Sequence, residues 1–136
     1  MQLKIRRGQR AGMLGGKVVF TLDLMVDLTP DEHALVERYK LWSEVAYSHS
    51  TAEQNAQNAQ SGSLKALGAV IADRVLKKIL TIKDFVAGQH VECKDLQEVL
   101  AVEEQVRGAC ANIQRYLAIA VSFDGREEVV EVERAA

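Results

Sequence analysis

The longest regular alternation of apolar and polar positions lies between Asp95 and about Val121. Leu96, Val99, Glu103, Val106, Cys110, Ile113, Leu117 and Ala120 recur at spacings of three and four. That spacing places them on one face of a helix. Asp95 is positioned to accept a hydrogen bond from the N–H of Glu98, and Glu98 stands where a capping box needs a carboxylate. Every seam position is apolar except Glu103.

Near the start of the chain the period is two. Leu3 and Ile5 alternate with Lys4 and Arg6 across Gln2–Arg7, the pattern of a half-buried strand. Val18, Phe20, Leu22, Leu24 and Val26 share one face of a second strand over Lys17–Asp27, with Thr21, Asp23 and Met25 on the other. Gly8 to Gly16 holds four glycines and reads as the loop of an antiparallel hairpin. Thr29-Pro30-Asp31-Glu32 then opens a helix to about Lys40, with Thr29 as N-cap, Pro30 at the first helical position and Glu32 completing a capping box. Glu44–Ser48 follows as a short strand with Val45 and Tyr47 facing one way.

Composition shifts at His49. Residues 49–63 are polar and alanine-rich, with no side chain able to anchor a core. Ser63 caps a second long helix carrying Leu64, Leu67, Ile71 and Val75 on one side. Ile79–Lys83 reads as a strand, Asp84–Gly88 as a single helical turn closed by glycine, and Gln89–Cys93 as extended chain leading into the long helix. Phe123–Arg126 is a turn, and Glu127–Glu133 is a last strand with Val130 and Val132 inward and Val129 outward. The expected fold is therefore one α+β domain over residues 1–136 with a polar connection at about 49–63. A small mixed, largely antiparallel sheet of four to six short strands carries two long helices on one face.

The 136 residues are 48% hydrophobic and 26% charged, with a net charge of −2. This balance gives no general attraction to nucleic acid or to a membrane surface. The distribution is uneven: Lys4, Arg6, Arg7, Arg10 and Lys17 occupy the first strands, and Glu127, Glu128, Glu131 and Glu133 the end. Those opposite charges can pair across a sheet. The two cysteines, Cys93 and Cys110, lie on apolar faces and make neither a disulfide framework nor a zinc motif, which suits a reduced, cytoplasmic protein. No secretory leader or membrane span is visible.

Candidate chemistry is sparse. Leu14-Gly15-Gly16-Lys17-Val18 looks like the end of a phosphate-binding loop, but Ala11 stands where the first glycine belongs and Val18 where magnesium needs a hydroxyl. Arg6, Arg7, Arg10 and Lys17 remain candidates for non-specific contact with nucleic acid or another anion. His90, Glu92, Cys93 and Asp95 are crowded together, yet strand alternation aims only two of them one way, too few for zinc. No metal or cofactor is expected. Cys110 lies mid-helix, where a thiol is inert. Glu103 either lies at a partly open stretch of the seam, or pairs with Arg107 on the surface, or meets an Arg or Lys of another helix or another subunit. Tyr39 and Trp42, at the end of the first helix, are candidate interface anchors. The leading expectation is a non-enzymatic cytosolic interaction protein, a homo-oligomer or an accessory subunit of a larger assembly. The alternatives are a nucleic-acid-associated protein acting through the Arg/Gly-rich hairpin, and a small enzyme whose site is scattered through the sequence.

Overall fold

In the computed structural model, residues 1–12, 16–48, 79–125 and 127–133 are described. Strand β1 (Gln2–Ala11) and strand β2 (Val18–Asp27) form the hairpin. Gly12 follows the last β1 residue and donates to the Lys17 carbonyl, and any Cβ there would collide with that carbonyl. Helix α1 (Pro30–Tyr39) starts at the capping box read from sequence: the Glu32 N–H donates to Thr29 Oγ1 and the Thr29 N–H to the Glu32 carboxylate. Lys40, at φ 54°, turns the chain out of the helix. Strand β3 (Val45–Tyr47) pairs antiparallel with strand β4 (Leu80–Thr81). Helix α2 (Ile82–Ala87) follows, then strand β5 (Gln89–Cys93) and helix α3 (Leu96–Ser122).

The main sheet has the order β1-β2-β5, antiparallel throughout, and β3–β4 forms a separate ribbon. The architecture is α+β. Among the described residues one helix is long, and the second long helix expected from Ser63 onward lies outside them, as does the polar connection at 49–63.

Alternation decides what the sheet buries. Leu22, Leu24 and Val26 of β2 and Val91 and Cys93 of β5 point inward and are buried. Helix α3 lies across that face, contributing Val102, Val106, Ala109 and Ile113, while Val36, Tyr47, Ile82 and Phe85 close the core from α1, the ribbon and α2. Removing such side chains from water stabilises the fold by about 1.5–3 kcal/mol apiece. The buried face of α3 is broader than the seam, since Ala101, Val102, Gln105 and Ala109 are buried too. Leu96, by contrast, is exposed in the first turn.

Several local expectations are corrected. Strand β1 runs on to Ala11, so Gly8, Gln9 and Arg10, expected in the loop, pair with β2. The strand expected over Ile79–Lys83 is cut to two residues, because Thr81 and Asp84 form a capping box that starts α2 at Ile82. Glu98 does not reach the Asp95 N–H; its carboxylate accepts from Lys94 instead, while Asp95 does cap Glu98. In β3 the alternation breaks at an irregularity, leaving Val45 exposed but both Ala46 and Tyr47 buried. Residues 127–133 are not a strand of the sheet: they pair with none, and Val129, Val130 and Val132 are exposed. The first and last strands consequently do not pair their opposite charges.

Candidate functional site

The chemistry-bearing side chains gather on the two faces of the β1-β2-β5 sheet. On the inner face, Leu3 and Ile5 of β1 pack against the core. The next position in the same alternation is Arg7, which lies opposite Leu22. Its guanidinium donates directly to Glu103 of α3. The Glu103 side chain is 11% exposed and that of Arg7 58% exposed. A carboxylate so nearly buried needs a partner, and a planar guanidinium whose outer half stays in water supplies one at small desolvation cost. Glu103 thus meets a cation from the sheet rather than Arg107 one turn along its own helix.

On the outer face the strand register brings opposite charges side by side. Arg6 lies opposite Asp23, and Asp23 opposite His90. His90 Nδ1 is 2.7 Å from Asp23 Oδ1, and its Nε2 is 3.7 Å from Glu92. Arg10 donates through Nε and Nη2 to the same Glu92 oxygen, at 3.1 and 2.8 Å. Lys4 Nζ is 3.2 Å from Asp27. Lys4, Arg6, Asp23, Met25 and His90 also line a groove of about 540 Å³ on this face, beside the start of β5.

The hydrogen bond to Asp23, with support from the charges of Asp23 and Glu92, holds the His90 pKa above its ordinary value. The hydrogen bonds from Arg10, helped by its charge and that of His90, hold Glu92 below the usual carboxylate range. Both nitrogens of His90 face carboxylates, which favours the imidazolium and leaves no lone pair for a general base. The thiols are equally quiet. Burial, reinforced by nearby carboxylates, pushes Cys93 up to about 11, and burial also raises Cys110. Neither is a thiolate at neutral pH. Among the described residues no three His, Cys, Asp or Glu side chains are grouped to hold a metal ion.

The four basic candidates are therefore divided. Arg7 and Arg10 are engaged by Glu103 and Glu92, while Arg6 and Lys17 make no ion pair among the described residues. Tyr39 and Trp42 are half-buried at the end of α1. Trp42 packs against the core, with its ring edge-on to His33 at 5.2 Å, and the Arg38 guanidinium lies 5.3 Å from the Tyr39 ring. The contact between Arg7 and Glu103 joins residues that the sequence assigns to two different candidate surfaces. In the sequence Asp23 is only a polar-face residue of the second strand, because 67 positions separate it from His90; the β2–β5 register brings them together.

No protein-family model, curated protein or solved structure matches this chain.

Two outcomes follow from the ion pairs. Arg7→Met leaves the Glu103 carboxylate nearly buried and unpaired, and is expected to cost about 1–3 kcal/mol in urea denaturation. Adding Glu103→Leu to that variant should recover a large part of the loss, as a double-mutant cycle would show. In an NMR titration His90 should lose its proton above the ordinary histidine pKa, and Asp23→Asn should bring the midpoint down. The stabilising share of His90 is complete below its unfolded pKa and is lost as pH rises through the raised folded value. That of Glu92 is complete above its unfolded pKa and is lost as pH falls through the lowered one.

Proposed function

We propose that this protein is a non-enzymatic interaction module, acting as a homo-oligomer or as an accessory subunit of a larger assembly. One observation carries the reading. Ile119, Val121, Phe123, Val129, Val130 and Val132 are all between 45% and 86% exposed. A solitary surface hydrophobe is ordinary, but so many large apolar side chains within one short stretch mark surface suited to contact with protein. Ile119 lies in the last turn of α3 and Phe123 is its C-cap, so both stand at the C-terminal end of the helix.

The state of the polar groups supports the same reading. The two thiols are protonated, His90 is held between carboxylates, and Glu103 is committed to Arg7. These groups organise the fold instead of awaiting a substrate. The buried thiols suit a reducing, cytoplasmic setting. Among the described residues no helix is long and apolar enough to cross a membrane.

A second reading, contact with nucleic acid through the hairpin, keeps Arg6 and Lys17 as its support. It is the weaker one, because Glu103 and Glu92 compete for Arg7 and Arg10.

Sedimentation of the full chain distinguishes the two. The interaction reading expects association at tens of micromolar that weakens with Ile119→Ser plus Phe123→Ser, while the thermal stability of the dilute, monomeric chain is kept because both side chains are exposed. A chain that stays monomeric to 100 micromolar and takes up no protein partner, yet binds a polyanion column through Arg6 and Lys17, would replace it with the second reading.

A further inference from the structure

The sheet ends at β1. Its ten residues pair with β2 on one side, and among the described residues nothing pairs with the other. An open edge of this length, without proline, offers a row of unpaired backbone donors and acceptors. It is also basic: Lys4, Arg6, Arg7 and Arg10 fall within it, and no acid does. A second β1 is a poor occupant, since antiparallel self-pairing would crowd cations against cations.

Residues 127–133 have the complementary character. They read Glu-Glu-Val-Val-Glu-Val-Glu, with four acids and no base. They are exposed, belong to no strand, and make no ion pair among the described residues. Their valines favour extended chain. Alternation sorts them into two faces. Val130 and Val132 share one side with Glu128; Glu127, Glu131 and Glu133 share the other with Val129.

We propose that residues 127–133 of one copy add to the free edge of β1 in a second copy, antiparallel, and that the exchange is reciprocal. The inference rests on the interaction reading above and names the partner surface. One register satisfies both faces. Placing Val132 opposite Leu3 and Val130 opposite Ile5 continues the apolar inner face, where Leu3 and Ile5 are only partly covered. The same register sets Glu128 opposite Arg7 and Glu131 opposite Lys4. It leaves Arg6, the β1 cation with no ion pair among the described residues, diagonal to both Glu127 and Glu131. Main-chain hydrogen bonds supply affinity, and the alternating side chains supply specificity. Reciprocal exchange closes a two-fold dimer and uses each edge once.

The test is sedimentation equilibrium of the full chain, from about 1 to 100 micromolar in low salt, where charge pairing is least screened. Wild type should dimerise. Val130→Pro removes a ladder donor from a segment that is exposed in the folded chain, so in dilute samples where both chains are monomeric its melting curve should match wild type, while the dimer dissociation constant rises about tenfold or more. Arg6→Glu should also weaken the dimer, and adding Glu127→Lys with Glu131→Lys should restore it. A wild-type dimer that Val130→Pro leaves intact would overturn the strand exchange while sparing the interaction reading. A wild type that remains monomeric throughout would overturn self-association altogether.

Discussion

Glu103 sits in a seam that otherwise has only apolar members, and α3 cannot bury that seam unless the carboxylate finds a cation. Arg7 is the cation within reach. Its place in β1 fixes more than one contact. Strand side chains alternate, so a slip of one residue between β1 and β2 would turn Arg7 outward and bring Arg6 or Gly8 beneath the helix. Leu3 and Ile5 would leave the core with it. The ion pair and the apolar register thus enforce one another, and together they hold the hairpin at one angle to α3. The β2–β5 pairing places Asp23 against His90, and the two pairings together bring Arg10 near Glu92.

Elements with strong local signals were legible in the sequence. The hairpin and the caps at Thr29 and Asp95 reflect interactions within a few residues, and so does the apolar seam of α3. Thr81 and Asp84 were equally local, but Thr81 lies inside the stretch Ile79–Lys83 that reads as a strand, and its cap cuts that strand short. The unusual position of Glu103 was also legible; its partner was not. Arg7 is 96 residues away, and only the packing of α3 on the sheet joins the two. Residues 127–133 carry the alternation of a strand, yet pattern alone cannot say what a strand pairs with, and within the folded chain this one pairs with nothing described.

The distribution of charge separates organising residues from those free to meet a partner. Exposed pairs such as Lys4 with Asp27 each contribute little to stability, in the range of about 0–1 kcal/mol. Their larger effect is on what the open face of the sheet can bind. Each internal pair lowers the field available to a polyanion, and Asp23 and Glu92 together raise the pKa of the His90 imidazole between them. The exposed apolar side chains beyond residue 118, Ile119, Val121, Phe123, Val129, Val130 and Val132, have no such internal outlet, and the backbone edge of β1 has none among the described residues. An acidic, valine-bearing segment and a basic, half-covered strand edge are complementary in hydrogen bonding, shape of alternation and charge.

The most direct measurement is an isotope-filtered NOE experiment on a mixture of labelled and unlabelled chains, which reports only contacts between copies. Strand exchange requires cross-peaks from the Val130 and Val132 methyl groups of one copy to the Leu3 and Ile5 methyl groups of the other. Cross-peaks confined to another surface, or none in a sample that sediments as a dimer, would contradict it.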